Sequence, residues 1–131
     1  MSPKLNADER AIRDQVDRSE RVLTRLMDEL REIDVEFEAI AEAHPKYQLL
    51  ERACQSLQEL DDIGAGHLFW NGQDQERGDR LAFARRQIDE FRAEMGRVEG
   101  RRASVMSKID DQNVELDYLH YDLQDILEQQ E

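Results

Sequence analysis

The feature that most constrains this chain is a heptad pattern in its C-terminal half. Apolar residues recur there at alternating steps of three and four, in one phase, for more than six heptads. Isolated polar residues in such a seam typically fix register or partner choice. The pattern therefore predicts a long helix whose apolar face is covered by another helix. The seam positions are Leu81, Ala84, Ile88, Phe91, Met95, Val98, Arg102, Val105, Ile109, Gln112, Leu116, Leu119, Leu123 and Ile126.

A second seam occupies the first third of the chain. It runs through Ile12, Val16, Ser19, Leu23, Leu26, Leu30, Ile33, Phe37 and Ile40. Pro45 lacks an N–H and disfavours helical geometry at His44, so we expect a kink or a restart there. The pattern then resumes over a wider apolar face, which suggests a further neighbour at this level. That face comprises Tyr47, Leu50, Ala53, Cys54, Leu57 and Leu60.

A bend is predicted over residues 63–78. Gly64 favours the left-handed conformation that commonly ends a helix. Asn71-Gly72 is the preferred pair for a type I′ turn, and the preceding His67–Trp70 segment has strand propensity, so a small β-hairpin is predicted. The return segment Gln73–Glu76 has no apolar face. A plain loop that exposes Phe69 and Trp70 therefore stays as the alternative.

Two observations favour an antiparallel return of the chain. A turn at Asn71-Gly72 pairs the two seams with each other, as in Val16 with Ile126, Leu23 with Leu119 and Leu26 with Leu116. Charge agrees with this pairing: seven acidic residues from Asp28 to Glu42 oppose Arg97, Arg101, Arg102 and Lys108. The arginines at 10, 13, 18, 21 and 25 likewise oppose a C-terminal segment with eight acids and no lysine or arginine. Such blocks disfavour a parallel arrangement.

The predicted fold class is all-α. We expect a long antiparallel coiled-coil helical hairpin with a small β-hairpin or loop at the bend. One domain over residues 1–131 would comprise a helical arm at about 7–62 with a kink near Pro45, the bend, and a helical arm at about 79–128.

Composition argues against several classes of partner. The chain has 31 acidic and 18 basic residues in 131, a net charge of −13, which would repel nucleic acid and anionic membrane surfaces. We find no apolar run near the roughly 20 residues that span a membrane. With a single cysteine and no secretory segment at the start, a cytoplasmic location is expected. The partners expected are therefore proteins, in a homo- or hetero-oligomer.

Residues able to carry catalysis or bind a metal are sparse in the pattern. Cys54 lies on an apolar helical face, where a thiol behaves as a small hydrophobe. His44, His67 and His120 are far apart in sequence and show no zinc-binding spacing, and the glycines lack the lysine of a phosphate loop. We therefore predict a non-catalytic protein with no cofactor and no metal.

Phe69 and Trp70 stand beside the predicted turn, where two large aromatic side chains usually pack against a neighbour. They would either cap their own coiled coil or join several hairpins. In the second case the bend is the assembly end. The predicted assembly residues are Tyr47, Leu50, Cys54, Leu57, Phe69 and Trp70.

The acidic pair Asp61 and Asp62 lies near the bend. Paired carboxylates at the tip of a helical hairpin resemble the secondary-channel factors of bacterial RNA polymerase, which present acidic residues on such a tip. That resemblance implies a third function, regulation of a polymerase. The second globular domain of those factors is missing from this pattern.

Over its full length the chain resembles a prefoldin subunit of the type with one β-hairpin. The residues that carry the resemblance are the N-terminal helix, Leu57–Gly64 leading into Ala65–Gly72, and the long C-terminal heptad helix. The resemblance implies a holdase for non-native proteins, in which hairpins assemble a platform and the arm ends grip clients. On this chain those ends carry Leu5, Ile12, Ile126 and Leu127. The alternative is a coiled-coil scaffold or oligomerisation segment of a larger assembly.

Overall fold

The protein is all-α. The structure is a computed structural model that describes residues 3–64 and 74–130, with side chains at 6–64, 76 and 78–130. The helices are α1 at Pro3–Ala41, α2 at His44–Asp62 and α3 at Asp74–Gln129, and no strand occurs in these described ranges. Phe69, Trp70 and the Asn71-Gly72 turn lie outside the described residues.

The predicted start of the second arm, at about residue 79, is wrong, because α3 already begins at Asp74. Residues 74–76 are therefore helical and do not form the return strand of a hairpin. The segment has no apolar face to place on a sheet. Its acidic residues instead suit the first turn of a helix, where they complement the positive end of the helix dipole. Arg80 also pairs with Glu76 at 2.6 Å, one turn apart.

The restart expected at Pro45 is confirmed. α1 ends at Ala41, and the Ala43 N–H donates to the Ile40 carbonyl at 3.1 Å. The ladder of α2 begins where the Tyr47 N–H donates to the Ala43 carbonyl at 3.2 Å. Pro45 lies in the first turn of α2, where a missing N–H removes no helical hydrogen bond.

Gly64 ends α2 as predicted. Its φ is +75°, and its N–H donates to the Asp61 carbonyl at 3.0 Å. The Ile63 N–H meanwhile donates to the Glu59 carbonyl at 3.2 Å. A residue with a Cβ would be strained at this φ, so the glycine fixes where the helix stops.

The chain forms two compact units. The first unit consists of the residues up to Asp34 together with those from Gly100 onward, and the second unit is Val35–Glu99. In the first unit the start of α1 and the C-terminal half of α3 run antiparallel. Three contacts show it: the Gln130 amide donates to Glu9 at 3.0 Å, the Gln112 amide donates to the Ser19 hydroxyl, and the Arg102 Nε donates to Asp34 at 2.7 Å.

The core of the first unit is the predicted seam. Ile33 is 1% exposed, Val16 and Val105 are buried, and each other described apolar seam position of this unit is at least half-buried. The predicted pairing is nevertheless wrong by about one heptad: taken together, the contacts of Glu9, Ser19 and Asp34 centre on an alignment that sets Leu26 opposite Ile109, whereas the sequence pairing set Leu26 opposite Leu116. The predicted pairing was counted from a bend centred on Asn71-Gly72 and took no account of the restart expected at Pro45. Helix bounds at Asp62 and Asp74 centre the bend earlier, and the restart after Ala41 shifts the phase.

In the second unit α2 packs on the N-terminal part of α3. Cys54, Leu81 and Ile88 form the buried core, and Tyr47, Leu50, Leu57 and Ala84 pack against it. The Tyr47 ring stacks on Phe91 with 4.3 Å between centroids and 13° between planes. Contacts at Glu51 with Arg92 and at Gln58 with Arg85 show that these helices also run antiparallel.

Candidate functional site

The predicted assembly residues of α2 are used for packing within the chain. Tyr47, Leu50, Cys54 and Leu57 lie on the side of α2 that faces α3. Cys54 is buried, as its apolar surroundings predicted. These side chains therefore contribute to the core of the second unit. A role in assembly remains a prediction for them and for Phe69 and Trp70, which lie outside the described residues.

A groove runs along one side of the α2–α3 pair. Its volume is about 540 Å³, with Cys54 and Ile88 at its floor and charged or amide side chains along its rim. Arg92 pairs with Glu51, and Arg85 donates to the Gln58 Oε1 at 3.0 Å. Because each arginine already bridges the two helices, the rim holds α2 against α3 and presents charges of both signs to solvent.

The opposite side of α2 is apolar and exposed. Leu49 is 64% exposed and Ile63 is 76% exposed, with Ala53, Ser56 and the half-buried Leu60 between them at steps of four and three. We call Leu49, Ala53, Ser56, Leu60 and Ile63 the outer α2 face. In α3 of the same unit, Phe83 is 58% exposed. Leu49 and the C-cap residue Ile63 were not predicted as a separate surface, because the wide apolar pattern around α2 was assigned to a single face, although the steps of four and three that join them are present in the sequence. Phe83 was not predicted either.

Two polar layers interrupt the seam of the first unit. Ser19 is only 4% exposed and accepts the amide hydrogen of Gln112. Arg102 reaches Asp34 at the next polar position, and its Nη1 lies 3.3 Å from the sulfur of Met106. Arg102 and Gln112 are the two polar seam residues that the sequence predicted to fix register. Each has a specific partner across the helix pair in the observed alignment.

The predicted client-contact residues lie at the start of α1 and the end of α3. Ile12 and Ile126 are half-buried and Leu127 is exposed, while the side chain of Leu5 is outside the described set. Further exposed apolar and aromatic residues, which the sequence analysis did not select, follow one side of α3 at steps of four and three. They are Val114, Tyr118 and Tyr121.

A polar contact joins α1 and α3 at this end. The Gln130 amide donates to the Glu9 Oε2 at 3.0 Å, and Arg13 pairs with the other oxygen at 2.9 Å. The Gln130 hydrogen bond, followed by Arg13, holds the pKa of Glu9 below its ordinary value. A lowered carboxyl pKa means that this contact is present above the ordinary carboxyl pKa and is lost as pH falls through the lowered one.

The Gln130→Ala variant should therefore raise the pKa of Glu9 toward its ordinary value. The measurement is an NMR titration of the Glu9 carboxyl carbon. Gln124→Ala is the matched control, because the Gln124 amide contacts Glu128 and not Glu9. If Gln130→Ala and the parent titrate alike at Glu9, the contact between the two helices is absent in solution.

The remaining residues that the sequence offered for metal binding or catalysis are the three histidines and the acidic pair Asp61 and Asp62. The His44 ring lies 6.1 Å from the Phe91 ring, His120 is exposed, and His67 is outside the described residues. Asp61 is half-buried, whereas Asp62 is exposed and accepts a hydrogen bond from Gln58 at 3.2 Å. Within the described part of the chain no three His, Cys, Asp or Glu side chains cluster in a way that would hold a metal ion.

The helices that the structure describes include none long and apolar enough to cross a membrane. Comparisons of the chain with protein-family models, curated proteins and solved structures found no match.

Proposed function

We propose that this chain is a non-catalytic, oligomeric coiled-coil module that binds other proteins, and most specifically a prefoldin-like holdase for non-native proteins. In this proposal the three helices form one long antiparallel coiled-coil hairpin. The antiparallel contacts within each unit and the two heptad seams support this arrangement of the helices. Clients would be held at the end where α1 begins and α3 finishes.

The observation that carries the proposal is the exposed aromatic and apolar surface of α3 near this end. Tyr118 and Tyr121 are one turn apart and exposed, with Val114 one turn before them on the same side of α3. Aromatic side chains offer large apolar contact area with a polar edge, which suits varied partners. Contiguous exposed surface of this kind marks interaction sites in soluble proteins.

The charge around this surface points to a class of client. Eight acidic residues and no lysine or arginine follow Lys108. An acidic surround would favour apolar segments flanked by basic residues and would keep a loaded complex soluble. Unfolding proteins rich in lysine and arginine are therefore the clients that this proposal favours.

Replacing Tyr118 and Tyr121 together with serine should remove most of the protection that the chain gives a heated, basic client enzyme. The measurement is light scattering of the client during heating, with and without the chain. The matched control is Met27→Ser with Val35→Ser, which also removes two exposed apolar side chains but at other sites. Protection that survives in the tyrosine variant, or that the parent never gives, would contradict the holdase.

The alternative is a scaffold in which the helices set a distance or support oligomerisation. It is favoured by the seam from Leu81 to Ile126, every position of which is buried or half-buried within the chain. Because the chain itself covers this seam, no client is needed to bury its apolar residues. Oligomerisation in solution with no protection of any client would select this alternative.

A further inference from the structure

The outer α2 face has the geometry of a second helix-packing seam. Its members follow one another at steps of four, three, four and three, which is the spacing of a coiled-coil stripe. On the wheel of α2 this stripe is separate from the Tyr47, Leu50, Cys54 and Leu57 face that contacts α3, and it lies on the side away from the Glu51 and Gln58 groove. Leu49, Ala53, Ser56 and Ile63 are exposed, and Leu60 is half-buried.

The stripe is complementary to itself when two copies of α2 run antiparallel. In the alignment that follows the packing seen between α2 and α3, Ser56 of one copy faces Leu60 of the other, and Ala53 faces Ile63. Small residues thus meet large ones in each layer, so the two helices can approach closely. Two-fold symmetry repeats each layer, so the apolar contact is doubled.

Charge on the flank selects the same alignment. Arg52 and Glu59 are exposed and lie seven residues apart on the flank of the stripe nearer the groove, whose lining includes Glu59. In the antiparallel alignment Arg52 of each copy meets Glu59 of the other, which gives two reciprocal ion pairs. Sliding the copies by one heptad would instead bring Arg52 against Arg52. The charge pattern therefore discriminates between two alignments that the stripe alone would allow.

We propose that the outer α2 face is a homodimer interface, in which α2 of a second copy of this chain packs antiparallel on α2. The inference goes beyond the proposed function and does not depend on client binding. It also assigns an assembly surface that lies on α2 and not only at the predicted bend residues.

A charge-swap series on the full chain tests the proposal. The parent should have twice the 15.4 kDa chain mass by light scattering at physiological ionic strength. Arg52→Glu places like charges in both reciprocal pairs and should raise the dissociation constant by roughly tenfold or more. Glu59→Arg should do the same. The double variant Arg52→Glu with Glu59→Arg restores opposite charges and should recover the parent value.

Two further variants test the apolar layers. Ile63→Lys places a charge opposite Ala53 in both outer layers of the contact and should give a monomer, whereas Met27→Lys changes an exposed residue of the first unit and should leave the dimer intact. In a Cys54→Ser background, Ser56→Cys should crosslink two copies with a short bismaleimide. Gln55→Cys points toward the groove side and should not.

Several results would overturn the proposal. If the parent chain is monomeric at all concentrations, no second copy covers the outer α2 face and the proposal is wrong. An oligomer whose mass is unchanged by Ile63→Lys would assemble elsewhere. A double charge variant no closer to the parent than either single variant would exclude the antiparallel alignment. Because all readouts are mass or crosslinking, loss of client protection alone would leave this inference standing.

Discussion

Replacing Ile33 with alanine should lower the free energy of unfolding by about 2–4 kcal/mol. Ile33 is 1% exposed and lies in the seam of the first unit. A pair of helices buries few side chains, so little surrounding structure can relax into the space that the lost methyl and methylene groups leave. The expected loss therefore combines the lost transfer free energy with the cost of a cavity.

The control for this prediction is two residues away on the same helix. Val35 is 68% exposed, so Val35→Ala should change the unfolding free energy by less than about 0.5 kcal/mol. Both substitutions replace a β-branched residue with alanine and so share the same small gain in helix propensity. Urea unfolding followed by circular dichroism measures both. Equal losses in the two variants would show that Ile33 is not the buried residue described here.

Replacing both Ser19 and Gln112 with leucine should allow α1 and α3 of the first unit to pair in a second register as well as the observed one. In the observed alignment the Gln112 amide satisfies the buried Ser19 hydroxyl. A slip by one heptad would move the partner of Ser19 from Gln112 to Leu119 and the partner of Gln112 from Ser19 to Leu26. The buried Ser19 hydroxyl would then be desolvated without a partner, at a cost of about 1–3 kcal/mol. The apolar seam alone does not distinguish the two alignments, so this layer and the Asp34–Arg102 pair decide between them.

Crosslinking between engineered cysteines measures the register directly. In a Cys54→Ser background, the observed alignment places Leu26 near Ile109, so Leu26→Cys with Ile109→Cys should form a disulfide. Leu26→Cys with Leu116→Cys reports the slipped alignment and should not. After Ser19→Leu and Gln112→Leu are added, the second pair should also crosslink. Unchanged selectivity in that variant would mean that the polar layer does not set the register.

Single substitution in this layer separates two physical effects. Gln112→Leu alone leaves the Ser19 hydroxyl buried without its donor and should cost stability, whereas the double variant removes both polar groups and should be close to neutral. Arg102→Leu should lower the free energy of unfolding less than Gln112→Leu does, because its partner Asp34 is partly exposed and can be solvated. The polar layers therefore contribute specificity more than stability.

Local sequence patterns predicted the helices, their faces and the points where they end. The alternating steps of three and four identified the buried seam because side chains at that spacing lie on one side of a helix. Pro45 and Gly64 marked the restart and the end of α2 because their effects on the backbone are local. The start of α3 at Asp74 was missed because the Asn71-Gly72 turn signal was given more weight than the acidic residues that favour a helix start.

The sequence by itself determined that the chain is helical, which residues form its seams and where α2 begins and ends, since these depend on spacing and backbone chemistry within a few residues. Only the tertiary structure decided the register, because a heptad repeat is satisfied equally by alignments seven residues apart and partner layers such as Ser19 with Gln112 break the tie. It also decided which apolar residues of α2 remain outside. Tyr47 and Cys54 pack on α3 while Leu49 and Ile63 face away, because one helix can cover only part of a wide apolar surface.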